Sequence, residues 1–372
     1  MDSTNSRSKV AAARRIVVKI GSRVLVQRSG RPDTRRMRAL VRQVAALRRE
    51  GREVVVVSSG AIGSGMEALG MKRRPTAVPD LQMAAAVGQS RLMAAYDALF
   101  GKEGFRIGQV LLTHDDLRHR SRHLNARNTM MNLLRHGIVP IVNENDVVAT
   151  EEIKFGDNDL LAALVSLLVE ADALILLTTV DGFRAPAGPK RTKRVPLLHG
   201  VSDKELAMAV GKGSELSTGG MASKLQSAGM VAANGIPVVI ANGRTDDVIT
   251  EADAGQDTGT LIAAAATTLS HRERWIALFH RTQGALVVDD GAREALEKKG
   301  RSLLPVGIQS VEGDFEPGAV VAIRALDGTA IAHGLTDYSS TELHLLKGKH
   351  SAELPADTAE VIHRDNMVFV KR

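Results

Sequence analysis

The chain has 372 residues, a net charge of +7 and no cysteine, which excludes a disulfide framework, a thiolate nucleophile and Cys-ligated zinc or iron–sulfur chemistry. The apolar share is 44% but the aromatic share only 3%, so the core must come from Ala, Val, Leu and Ile, the makeup of parallel sheets covered by helices. The most apolar run, Leu160 to Val169, ends at Glu170 and falls short of the roughly 20 residues a bilayer needs, so a soluble, cytoplasmic protein is expected.

The first fifteen residues, with Arg7, Lys9, Arg14 and Arg15, read as a frayed basic arm without the apolar core of a signal peptide. Residues 16 to 20 (IVVKI) read as a short buried strand, followed by a turn at Gly21-Ser22 and a helix from about Thr34 to Glu50 closed by Gly51. A strand over Glu53 to Val57 runs into the small-residue loop SSGAIGSG, and a long Ala, Leu and Met helix follows Pro79. Next come a strand near Ile107 to Leu112, a helix near Asn125 to His136 stopped by Gly137, and a strand over Ile138 to Val142. A helix from about Asp159 to Val169, a strand over Ala173 to Leu177, helices near 203–210 and 221–234, and a strand over Ile236 to Ala241 complete the pattern. The alternation predicts an α/β fold, a three-layer α/β/α sandwich through about residue 265. Beyond a connector near 266–283, the runs GALVVDD, GAVVAIRAL, TAIAHGL and MVFV, with one helix near 291–299, predict a small barrel-like β domain.

The positive charge is spread over many segments, so it reads as a solvated surface that also attracts anionic substrates rather than as a nucleic-acid stripe. His119 and His123 lie one helical turn apart and read as a solvated pair, not a metal site. The first strand ends in Lys19-Ile20-Gly21-Ser22, and ligands of open α/β sheets bind at the carboxyl ends of strands, where a lysine can meet phosphate oxygens. Ser58-Ser59-Gly60-Ala61, again at a strand end, can bring backbone amides close to an anion. Asn143-Glu144-Asn145-Asp146 and Gly156-Asp157-Asn158-Asp159 hold more amides and carboxylates than helix capping requires, which points to recognition of an amino acid's ammonium and carboxylate. Ser217 to Lys224 is a Gly-rich entry to a helix whose first turn ends in lysine, suited to nucleotide phosphates. No GxxxxGK[ST] run is present, which argues against a P-loop kinase.

In this order the motifs resemble the amino acid kinase family, through VKIGS, VVSSGAI, LQMAAAVGQSRLM, QVLLT, LNARNT, IVPIVNENDVVAT, EIKFGDNDLLAALV, STGGMASKL and HRDNM. The last third, with SLLPVGI and AHGL, resembles a PUA domain. The resemblance implies an amino acid kinase domain over residues 10–266 and a PUA-like β-barrel over 284–372. It implies ATP-dependent phosphorylation of the γ-carboxylate of L-glutamate to L-glutamyl 5-phosphate, the first step of proline biosynthesis, with feedback inhibition by proline. ATP and Mg2+ would be the cofactors, the assembly a homo-oligomer (dimer or tetramer), and a glutamyl phosphate reductase the acceptor of product. The PUA-like domain raises RNA binding.

The same resemblance implies that Lys19 and Lys224 flank the transferring phosphoryl group and that Asp159 holds both. Ser59, Asp146 and Asn158 would bind glutamate. Lys19, Thr178, Thr179, Thr218, Gly219, Gly220, Met221, Ala222, Ser223 and Lys224 would contact ATP. Two positions depart from the family pattern, since members carry Thr-Asp in place of Thr178-Thr179 and Gly in place of Ser217. Two other functions stay open: a kinase for another small acyl acceptor, such as acetylglutamate, aspartate or a nucleoside monophosphate, and an RNA-binding PUA protein. The scarcity of aromatic residues speaks against base stacking.

Overall fold

Short runs of Val, Ile and Leu cannot leave either face exposed, and here they stack into one sheet buried on both sides. The structure, a computed structural model, describes residues 3–27, 32–149, 158–188, 191–209, 220–266, 282–350 and 360–370. They fall into two units, Met1–Thr267 and Thr268–Arg372. In the first unit the strands are β1 (Arg15–Ile20), β2 (Glu53–Ser58), β3 (Ile107–Leu112), β4 (Val139–Glu144), β5 (Ala173–Thr178), a hairpin of β6 (Arg184–Pro186) and β7 (Thr192–Arg194), β8 (Leu197–Leu198), β9 (Val238–Asn242) and β10 (Thr260–Ile262). The main sheet runs β3-β4-β2-β1-β5-β9-β10-β8. Its first six strands are mutually parallel, and β10 turns antiparallel to β9. From β1 the chain adds β2 beside it, places β3 at the far edge, inserts β4 between those two, and then returns to place β5 on the other side of β1. The carboxyl ends of β1 and β5 therefore form the switch point at which such sheets bind ligands.

Side chains alternate across a strand, so residue parity decides which helical layer each one meets. Ile16, Val18 and Ile20 pack into one core with Val54, Val56, Ile175 and Leu177. That core is closed by Leu40 and Val44 of helix Thr34–Arg49, Tyr96 and Phe100 of helix Val78–Lys102, and Ile249 of helix Val248–Asp253. Lys19 has the opposite parity and faces the other layer, where its ammonium meets Asp159 of helix Asn158–Leu168. The sheet thus lies between two layers of helices.

Four local readings change. The N-terminal segment is not a frayed arm but a helix, Ser3–Ala11, with Val10 buried. Its Arg7 donates to the carbonyls of Gln256 at 2.6 Å and Pro196 at 3.1 Å and pairs with Asp257 at 2.8 Å. The loop expected after β2 is largely a helix, Ala61–Ala68, entered through Gly60 at φ 112°. It crosses helix Val78–Lys102 so closely that a Cβ on Gly65 would sit 1.7 Å from the Ala84 carbonyl oxygen, and one on Gly88 1.7 Å from that of Ala61. Sequence periodicity carries no trace of such a crossing, because the small residues that permit it also compose loops. The third change is His123, which is buried rather than solvated, with Nδ1 3.1 Å from the Leu117 carbonyl oxygen; His119 is exposed. Finally, Thr260–Ile262 adds a strand between β9 and β8 that is too short to show a period.

The second unit holds a five-stranded sheet of β11 (Gly284–Val288), β12 (Ile308–Gly313), β13 (Val320–Ala325), β14 (Ala330–Leu335) and β15 (Met367–Phe369), ordered β12-β11-β13-β14-β15. The β11–β13 pair is parallel and the others are antiparallel. Leu286, Ile323, Leu343 and Ile362 form its core. Among the described residues two helices cover it: Asp290–Lys299, where the Asp289 carboxylate accepts from Ala292 N, and Ser340–Leu346, which opens with a Ser339/Glu342 capping box.

Candidate active site

Lys19 is carried to the carboxyl end of β1 by the same Val and Ile run that buries the strand, and its neighbour Gly21 continues the line by donating to the Leu177 carbonyl of β5 at 3.2 Å. A Cβ on Gly21 would come within 3.1 Å of that oxygen, so the close approach of the two strand ends favours glycine. Lys224 arrives from the opposite direction, on the first turn of helix Met221–Ala233. Between them stands Asp159, fully buried on helix Asn158–Leu168. Its Oδ1 accepts from Lys19 Nζ and its Oδ2 from Lys224 Nζ at 2.8 Å. Both lysines are buried, so the pairs lie in a medium where charge interactions are much stronger than in water. One carboxylate that holds two ammonium groups at a fixed spacing is an arrangement ready to receive anionic oxygens.

Asn158, one residue earlier, faces a different space. It lines a cavity of about 60 Å³ with Ser22, Ser59, Gly60, Arg74, Asn143 and Asp146. Of the serine pair at the end of β2, Ser58 is structural, its hydroxyl 2.8 Å from the phenol of Tyr96, whose burial pushes that group up to about 12. The Ser59 hydroxyl is buried without a hydrogen-bond partner among the described residues. Asn158 Nδ2 donates to the Ser58 carbonyl at 2.6 Å and to Asn143 Oδ1 at 2.7 Å. Burial pushes the Asp146 carboxyl up to about 6, and Arg74 opposes that rise. Glu144, the last residue of β4, does not line the cavity; its carboxylate lies 4.0 Å from His114 Nδ1.

The strand order lays these groups out in a line. Asn143 and Ser59 stand at the ends of β4 and β2, Lys19 at the end of β1, and Thr178 at the end of β5, paired in register with Asn242 of β9. A small acceptor, a transferring group and its donor can lie along one sheet edge in that sequence. Structure brings Lys19, Asp159 and Lys224 into contact and gathers Ser59, Asp146 and Asn158 around one cavity. Gly220, Met221, Ala222 and Ser223 form the start of the Lys224 helix. The Thr178 carbonyl accepts from Gly243 N at 2.8 Å, and Thr179 follows in the turn beyond β5. Thr218 and Gly219, with Ser217, lie outside the described residues.

Arg74 and Gln89 escaped the sequence reading. Arg74 sits in the run Met71-Lys72-Arg73-Arg74-Pro75, which looks like any solvated basic turn. Gln89 is hidden among the small residues of a long helix, where its Oε1 accepts from Asn143 Nδ2 at 2.8 Å.

Among the described residues, no group of three or more His, Asp or Glu side chains is placed to hold a metal ion. Both oxygens of Asp159 are engaged by ammonium groups, so this donor set fits a cation that arrives on nucleotide phosphates rather than one caged by protein. Nor is any helix among them long and apolar enough to cross a membrane.

A profile of the amino acid kinase family matches residues 14–242, and one of the PUA domain matches residues 284–356. A glutamate 5-kinase of Geobacter sulfurreducens is 45% identical over 97% of this chain and 99% of its own. One of Azoarcus sp. is 45% identical over 98% of this chain and 100% of its own. A solved UMP kinase of Bacillus anthracis aligns with a TM-score of 0.46 at 17% identity, covering 68% of this chain and 97% of that one. With residues 14–242 matched by the family profile and relatives 45% identical over nearly its whole length, the chain belongs to the amino acid kinase family.

Proposed function

We propose that this protein transfers the γ-phosphoryl group of ATP to the γ-carboxylate of L-glutamate, giving L-glutamyl 5-phosphate. The observation that carries the reading is the adjacency, on two consecutive residues, of Asn158 in a small polar cavity and Asp159 between two buried lysines. Relatives named glutamate 5-kinase, 45% identical over nearly the whole chain, support glutamate as the acceptor.

The γ-carboxylate is already ionised at neutral pH, its ordinary pKa being about 4.3, so no general base is required. That agrees with a site of lysines and amides. Lys19 and Lys224 neutralise charge on the phosphoryl oxygens as they separate from ADP, and Asp159 fixes their spacing. Asp146 receives the substrate ammonium, Ser59 and Asn158 orient the amino acid, and Arg74 offers charge to a carboxylate. Thr178, Thr179 and the segment from Thr218 to Lys224 hold the nucleotide, with Mg2+ on its phosphates to offset their charge. Proline presents the same ammonium and α-carboxylate without a γ-carboxylate, so it inhibits by competing for that end of the cavity. The product is a labile acyl phosphate, suited to direct use by a glutamyl phosphate reductase.

Hydroxylamine trapping of acyl phosphate, with ATP and a panel of glutamate, aspartate, N-acetylglutamate and UMP, tests the reading. Hydroxamate from glutamate well above the others is the expected result. Turnover of another acceptor in its place would overturn the assignment.

A further inference from the structure

A backbone carbonyl can only accept a hydrogen bond, and that fixes the direction of a chain of amides below the acceptor cavity. The Ser58 carbonyl takes a hydrogen from Asn158 Nδ2, whose contact with Asn143 at 2.7 Å must then be made to an oxygen. Asn143 consequently turns its Nδ2 outward, and the atom of Gln89 that meets it at 2.8 Å must be the acceptor Oε1. Both hydrogens of Asn158 Nδ2 are used in this way. Among the described residues, the polar side-chain atom that Asn158 has left for a ligand in the cavity is Oδ1, an acceptor.

Gln89 lies outside the cavity lining, on helix Val78–Lys102. Two turns earlier on that helix, Gln82 donates to the Ala149 carbonyl at 3.2 Å, so the helix grips both ends of the loop from Asn143 to Ala149. Gln89 Nε2 is buried without a hydrogen-bond partner among the described residues. Its contribution to the relay is therefore its oxygen.

We infer that Gln89 is a positioning residue that terminates this relay, holds Asn158 with Oδ1 toward the acceptor site and so selects a substrate with a free ammonium over one whose amine is acylated. An ammonium donates to Oδ1 and to Asp146 together, whereas an amide nitrogen has one hydrogen and no charge to offer them. The inference rests on reading the cavity as the acceptor site, and wild-type hydroxamate formation from glutamate checks that reading separately.

Gln89→Met keeps the length of the side chain and removes the acceptor, while Gln89→Glu keeps the acceptor and loses only the unpartnered N–H. For Gln89→Met the expected result is a glutamate KM raised about three- to tenfold, as for loss of one neutral hydrogen bond, with kcat little changed. The activity ratio of N-acetylglutamate to glutamate should rise with it. Gln89→Glu should restore both toward wild type. Thermal unfolding is measured alongside, and the shift must occur in a Gln89→Met protein that melts near the wild-type temperature. Unchanged KM and selectivity in Gln89→Met, equal damage in both variants, or damage that accompanies a large drop in melting temperature would each overturn the inference, provided wild type uses glutamate.

Discussion

The two halves of the site are built on opposite physical principles. Around Asp159, three formal charges are buried together and each ion pair depends on the others. In the cavity beside Asn158, neutral amides form the frame and a carboxyl and a guanidinium stand at its wall. The first design suits a group whose charge is redistributed during reaction, because preorganised ammonium groups need not reorient as it moves. The second suits recognition, since a fixed pattern of donors and acceptors distinguishes ligands by which groups they leave unpaired. Substitutions on the two sides should therefore fail differently, the first in kcat and stability, the second in KM.

The largest effect is expected at Asp159. Asp159→Asn leaves two buried ammonium groups against a neutral amide, and removing one member of a buried ion pair costs about 3–5 kcal/mol. Urea unfolding should show that loss, with kcat reduced by at least about 10³. A variant of wild-type stability would break the comparison at its root, for the lysines would then not depend on this carboxylate. Lys224→Met is expected next, with kcat lowered about 10² to 10³ and the glutamate KM little moved. Steady-state kinetics that place the change in KM would move Lys224 to the recognition side.

Asp146→Asn keeps the shape of its side chain but removes the charge-assisted bond proposed to the substrate ammonium, worth about 1.5–3 kcal/mol. Glutamate KM should rise about ten- to a hundredfold, and saturating glutamate should recover most of the rate. The raised Asp146 pKa sharpens this further. Because burial lifts the group from 3.8 to about 6, the empty protein gains stability from it below the unfolded value and loses that gain as pH rises through about 6. Binding of an ammonium runs the other way, needing the ionised form, so glutamate KM should climb as pH falls below about 6. A KM profile flat across that range in wild type, or one that persists in Asp146→Asn, would remove Asp146 from the ammonium site.

The smallest effect is expected from truncation near Thr268, since every residue assigned to chemistry lies in the unit Met1–Thr267. The shortened protein should keep a kcat close to that of the full chain. Loss of activity in a folded truncation would show that the site borrows from the tail.

Much of the frame was legible because it follows from short-range rules. Buried Val, Ile and Leu runs separated by helical periods identify parallel strands and their crossovers, and strand ends mark where Lys19, Ser59 and Asn143 belong. The helix Ala61–Ala68 was not legible, since its Gly and Ala content reads as loop until the crossing at Gly65 and Gly88 is seen. Arg7 likewise looked solvated, and only the carbonyls of Gln256 and Pro196, nearly two hundred or more residues away, make it a buried anchor.

By itself the sequence determined the layers, the order of motifs and which residue types stand at the strand ends, because periodicity and turn chemistry act over a few neighbouring residues. Only the tertiary structure decided partnership and polarity. That Lys19 and Lys224 share Asp159, that Glu144 turns to His114 while Asp146 faces the cavity, and that Asn158 presents an acceptor all depend on atoms from distant segments meeting at hydrogen-bond distance. Hydrogen bonds have direction, and a linear pattern of residue types does not say which way each one points.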